Sequence, residues 1–358
     1  MHSIKNIVFI NDIAKLPKEM LKEICTDLNL DDSGIKPDLA MRIWEYLRQN
    51  QTSQDEALEK CKNKLLAGQT SITWYQFDRG DLENVEELII KNCGFNPFEE
   101  IQTPYPEELT TEPVLICAAK GETDEEIYLR FMYKSGVRRD YYVTGVNVSP
   151  KSEIVTVYLN TQSGILEVRA DPRKSEKIAK SVAQILNRQV IMEQVTAPFG
   201  EKIESIADKL KGELIDATSK PELLLEDFTE RQAKAVVEIL QALDKFLKSN
   251  DIDELEENLK QANEAFDDEM LSVPFAALIL CGMEKVGFGG ERELRGLPLY
   301  DSLNPYLQHQ GGFIRFKYPE DSLEKSYTIR VGMTSKSIYF TTPATEQVID
   351  YVRKNVIL

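Results

Sequence analysis

Apolar residues recur at helical spacing at Leu16, Met20, Leu21, Ile24 and Leu28, which gathers them on one face of a first helix and leaves Lys15, Lys18 and Lys22 elsewhere on its surface. Asn29, Asp31, Asp32, Ser33 and Gly34 form turns readily. Pro37 then stands where a helix best tolerates proline, and Asp38 complements the positive end of the helix dipole. A second helix is therefore expected from Pro37, closing Leu39, Ile43, Trp44 and Leu47 onto the first. Residues 54–66 predict a third helix, residues 70–77 (TSITWYQF) a strand, and residues 81–91 a helix with Val85, Leu88 and Ile89 inward.

Pro97, Pro104, Pro106 and Pro113 mark a boundary across residues 96–113, after which the period changes to two. Strands are expected at 114–119, 127–134, 140–148, 154–159 and 165–170, followed by a helix at 173–186. In 127–134, Ile127, Leu129, Phe131 and Tyr133 share one face and Tyr128, Arg130, Met132 and Lys134 the other. Arg138 and Arg139 fall in the expected following turn. Helical spacing returns at 201–216, 229–249 and 252–266, with outer faces dense in Glu and Asp. Residues 273–283 predict a buried helix or strand, 287–296 a loop, and 312–358 three strands with a closing helix at 345–355. That last order, strands then helix, repeats the order of 127–188, so two copies of one α+β unit are conceivable.

The pattern predicts an α+β multidomain chain. Its parts are a small helix-loop-helix head (1–50), an α/β connector (51–112), an antiparallel-sheet α+β middle (113–190), an acidic helical segment (191–270) and a C-terminal antiparallel-sheet α+β piece (271–358).

Leu21, Ile24, Leu30, Gly34, Lys36, Leu39, Arg42, Ile43, Tyr46 and Leu47 together resemble the SAP module, a helix, extended loop and helix. The resemblance covers roughly residues 13–50. It implies contact with double-stranded DNA, with Lys18, Lys22, Lys36 and Arg42 near phosphates and the Gly34 loop and second helix N-terminus against a groove.

Charge sharpens this picture. The formal net charge is −17, yet residues 127–190 hold eleven Lys and Arg against five Asp and Glu, while the flanking blocks 51–126 and 191–270 are strongly acidic. Within the basic block, Arg130, Lys134, Arg138, Arg139, Arg169, Arg173, Lys174 and Lys177 form a second set of candidate phosphate contacts, with Tyr128 placed to stack on a base or sugar. Pairing of this basic face with the chain's own acidic helices is the competing reading.

Other chemistry is sparse. His2 and His309 are the only histidines, and the five cysteines form no CxxC pair, so no metal site, thiol catalysis or histidine triad is expected and no cofactor is implied. Gly287–Gly290 lacks the Gly-Lys-Ser/Thr of a phosphate loop. Glu153 or Asp140 with Glu167 and Arg169 comes nearest to a metal-dependent nuclease set. No apolar run is long enough for a membrane span and no signal peptide is apparent, so an intracellular protein is expected, cytoplasmic or bound to nuclear or nucleoid DNA. The leading expectation is a non-enzymatic DNA-binding adaptor. The alternatives are a protein-interaction scaffold that self-associates or meets a protein partner through residues 199–269, and a nuclease-like enzyme.

Overall fold

The computed structural model describes residues 2–50, 54–78, 84–186, 192–221, 286–289, 293–297, 300–301, 304, 307–320 and 323–358, with scattered positions between 234 and 258. The expected helices over 229–249 and 252–266 lie largely outside the described residues, as do the element expected at 273–283 and most of the self-association surface expected over 199–269.

The α+β class holds, with one large antiparallel sheet carrying helices on both faces. Its central strand β1 (Ser71–Gln76) is β-branched and aromatic, and its buried run on both faces is the signature of a strand covered from either side. β1 pairs antiparallel with β5 (Ile165–Arg169) on one side and with β11 (Ser337–Phe340) on the other. Beyond β5 lie β4 (Gly145–Asn160), β3 (Glu126–Tyr142) and β2 (Val114–Lys120). Beyond β11 lie β10 (Leu323–Gly332), β9 (Leu307–Glu320), β7 (Glu213–Pro221) and β8 (Val286–Gly289). The two-residue β6 (Glu193–Gln194) adds to the far end of β1.

The two halves repeat one another. In the first, α3 (Val85–Cys93) precedes the meander β2 to β5 and α4 (Pro172–Leu186) follows it. In the second, α5 (Ile203–Lys209) precedes the sheet strands and α6 (Glu346–Val352) follows them. Because β5 and β11 both run antiparallel to β1, they run parallel to each other. A rotation about an axis along β1 thus relates the halves and exchanges the faces of the sheet. The cores obey this: Leu129, Phe131, Val157, Leu166 and Val168 pack with α3, α4 and Tyr75, whereas Ile314, Phe316, Ile329 and Ile338 pack with α5, α6, Ile72 and Trp74 on the opposite face.

The face of the first half away from α3 and α4 carries the head. Here α1 (Lys18–Asp27) and α2 (Lys36–Gln49) form one core with the preceding segment and with Ile116, Cys117, Ala119, Tyr128 and Tyr158 of the sheet. The second face of β3 is therefore covered as far as the half-buried Met132 and meets solvent only from Lys134 onward.

Four local expectations are corrected. The helix over 54–66 is broken into Gln54–Ala57 and Lys62–Leu65 around a tighter turn, Glu59–Cys61. Residues 127–159 make one long hairpin rather than three strands, with its turn at Val143 and Thr144, so Arg138 and Arg139 sit within β3. Ser135 and Gly136, which resemble a turn in sequence, instead mark a bulge between Lys134 and Gly136. The helix expected over 201–216 stops near Leu210: Lys211 adopts φ +50°, and a Cβ at Gly212 would lie 2.9 Å from the Arg315 carbonyl oxygen, so the chain turns against β9 and continues as β7. Residues 287–289, the start of the loop expected over 287–296, instead belong to β8 against β7.

Candidate nucleic-acid interface

In the head, the docked face is apolar and the loop face is open. Leu39, Ala40, Ile43 and Leu47 are buried, while Lys18, Lys22, Gly34 and Ile35 are exposed. Gly34 takes φ +111°, a conformation that favours glycine, and closes the loop against Asp38. Arg42 donates to the carbonyl oxygens of Asp31 (2.7 Å) and Ser33 (2.6 Å) and pairs with the Asp31 carboxylate at 3.3 Å. Its guanidinium thus staples the loop from within. Asp31 is held below the usual carboxylate range, first by its hydrogen bonds from Ser33 and then by Arg42. Lys36 Nζ reaches the Lys15 carbonyl oxygen at 3.3 Å. Lys18 and Lys22 have no carboxylate within 4 Å among the described residues.

The basic middle divides into buried and exposed cations. Arg130 is buried beneath the head, where it donates to Asp12 (2.6 Å) and Thr156 Oγ1 (2.5 Å) and lies over the Phe9 ring. Arg169 is buried too, bonded to Glu167 (2.8 Å), Glu346 (2.5 Å) and the Leu66 carbonyl oxygen (2.9 Å). Neither reaches a polyanion, so both are withdrawn as phosphate contacts. Tyr128 is likewise buried, donating to Glu346, and has no face free for a base.

The remaining cations face solvent or its margin. Arg173 chelates Asp171, Lys174 pairs with Glu153 and lies over Tyr133, and Lys177 pairs with Glu112. Such exposed pairs are screened by solvent and add little stability, so they exchange readily for another anion. Arg138 bonds Asp140 at 3.0 Å. Lys134 and Arg139 have no carboxylate partner among the described residues, and neither does Lys151, which sequence reasoning passed over.

Glu167 was the carboxylate of the nuclease-like reading. It has no exposed surface and receives Arg169, Arg353 (2.8 Å) and Trp74 Nε1 (3.0 Å). Burial raises its pKa, but Arg353 and Arg169 outweigh that and hold it below the usual range. Glu153 lies on the opposite face of the sheet, paired in register with Tyr133, and Asp140 lies far out on the hairpin. These carboxylates do not share a metal, and the Glu167 set is structural.

His309 does sit in a polar chain, Nδ1 at 3.1 Å from Ser219 Oγ and Nε2 at 2.7 Å from Asn304 and 3.4 Å from Glu204. Ser219 is fully buried, so its hydroxyl is closed to a substrate, and the chain ties β7, β9 and α5 together. Burial pushes the Glu204 carboxyl up, but hydrogen bonds from His309 and Tyr300 outweigh this and hold it at about 2. A depressed folded pKa gives stability that is present above the ordinary carboxylate pKa and lost as pH falls through the folded value. Acid titration of stability between roughly pH 4.5 and 2 is accordingly expected to be flatter in Glu204→Gln than in the wild type. Identical slopes in the two proteins would remove Glu204 from the account.

Among the described residues, no helix is long and apolar enough to cross a membrane, and no group of three or more His, Cys, Asp or Glu side chains is placed to hold a metal. No known family model matches the sequence, and no curated protein does.

Proposed function

We propose that the protein binds duplex DNA through two surfaces, the SAP-like head and the hairpin β3–β4, and acts by binding rather than by catalysis. One observation carries the reading. The head docks by the apolar faces of its helices, so the loop and lysines that the SAP resemblance assigns to DNA stay in solvent. Arg42 supports that surface by fixing the loop.

The second surface gathers Lys134, Arg138, Arg139 and Lys151 on one hairpin, with Asp140 as the sole carboxylate between residues 134 and 151. In a chain of net charge −17, a polyanion is repelled by most of the surface and attracted to these places. Local cations orient the encounter and the acidic remainder limits non-specific coating.

Charge reversal in the full-length protein is the suitable test, because removing the head would expose Ile116, Cys117 and Tyr128. Lys18→Glu with Lys22→Glu should weaken duplex affinity and lower the log–log salt slope by about 2, and separately Arg138→Glu with Arg139→Glu should weaken affinity and lower the slope by about 1–2. Affinity and slope unchanged in both double variants would defeat the proposal.

A further inference from the structure

The hairpin β3–β4 outruns its sheet. Past the bulge at Ser135, residues 136–151 pair only with each other among the described residues, Gly136 with Lys151 through to Tyr142 with Gly145, giving a two-stranded ribbon about 20–25 Å long. Directly paired residues share a face. Val137, Arg139 and Tyr141 of β3 therefore lie with Pro150, Val148 and Val146 of β4, and Arg138, Asp140 and Tyr142 lie with Ser149, Asn147 and Gly145.

The first face is an exposed apolar stripe with one arginine in it: Tyr141 is 75% exposed, Val148 55% and Val146 51%. A fold gains nothing from such a stripe in water, and contiguous exposed apolar surface marks a contact site. Alternation along β4 continues this face to Ile154, which packs against the head. The stripe and the head thus belong to the same side of the sheet.

The cations decide what covers the stripe. Arg139 lies within it, while Arg138 and Lys151 project from the opposite face. A partner with a flat surface would meet only one of these faces. A groove walled by phosphates on both sides accommodates both. The major groove of B-form DNA, about 12 Å wide, admits a two-stranded ribbon, and its floor offers thymine methyl groups to apolar side chains and the O6 and N7 of guanine to an arginine.

We propose that residues 136–150 enter the major groove of duplex DNA, with Val137, Arg139, Tyr141, Val146 and Val148 toward the base edges and Arg138 and Lys151 reaching the phosphate walls. This rests on the DNA-binding reading above and adds to it a groove, a reading face and a source of base preference.

The test is guanine N7 methylation protection on a mixed-sequence duplex with the full-length protein. The variants are Arg139→Ala, and Tyr141→Ala combined with Val148→Ser. All three positions are exposed, so the fold should be kept, as a thermal melt would verify. The wild type is expected to protect N7, both variants to lose that protection, and affinity to fall about tenfold in each. The Tyr141→Ala/Val148→Ser protein should keep the wild-type salt slope, since neither side chain meets a phosphate.

Binding with no N7 protection, or with protection unchanged in both variants, would overturn the groove assignment and leave the DNA-binding reading standing. Failure of the wild type to bind duplex at low salt would instead defeat that reading, and the groove with it. A wild-type dimer in light scattering that Tyr141→Ala/Val148→Ser converts to monomer would make the stripe an interface between copies of the chain and overturn the groove assignment.

Discussion

Glu167→Ala is expected to destabilise the protein by about 3–5 kcal/mol, the range for breaking a buried ion pair by removing one partner. Glu167 has no exposed surface and accepts from two guanidinium groups and an indole. Removing it leaves Arg169 and Arg353 as like charges on one buried site. Each keeps a second carboxylate, Glu346 for Arg169 and Asp350 for Arg353, and Arg353 also lies 4.1 Å over the Tyr158 ring. Those contacts hold the cost within that range by offsetting part of the repulsion.

The loss should register across the centre of the sheet, because the network joins β1, β5, α6 and the Leu66 carbonyl oxygen. Urea unfolding followed by tryptophan emission reads this directly, since Trp74 is a member of the network. The midpoint should fall with little change in m. A shift below about 1 kcal/mol would mean that water reaches the site and compensates the arginines.

Asp12→Ala is expected to have a comparable effect, about 3–5 kcal/mol, at the junction of head and body. The Asp12–Arg130 pair is buried on both sides, at 4% and 2% side-chain exposure, and spans 118 positions of sequence. Without Asp12, Arg130 keeps, among the described residues, only Thr156 and the Phe9 ring, and its Nε has no partner there. The Phe9 N–H loses its acceptor as well.

Asp12→Leu with Arg130→Met should restore much of the loss, because replacing both charges by apolar groups removes the desolvation penalty along with the attraction. Hydrogen exchange over residues 7–16 locates the effect. If Asp12→Ala leaves protection there unchanged, the pair does not hold the head in place. The same double replacement should leave duplex binding intact, since the loop face of the head is remote from the junction.

These two arginines mark where the sequence misled. In sequence Arg130 and Arg169 group with Arg138 and Arg139 because all four fall in one basic block. Block charge is blind to which face of a strand a third element covers. Tyr128 fails as a stacking residue for the same reason: alternation placed it correctly opposite Leu129, and the head then buried it. The hairpin turn was missed because Val143 and Thr144 carry no turn signal, whereas Ser135 and Gly136 do.

What the chain order itself determined is local. Helix faces in the head, the Gly34 loop, the alternation in β3 and β9, the two strand-then-helix units and the concentration of positive charge near residues 127–190 all follow from spacings of a few residues, where periodicity and turn chemistry act directly. Tertiary structure alone decided the rest: that β1 lies between the two units, that the head covers one face of the first, and that Asp12, Glu167 and Glu346 meet arginines 118, 186 and 177 positions away. An ion pair depends on distance in space and on exclusion of water, and both are set only once the sheet has closed and the head has docked on it.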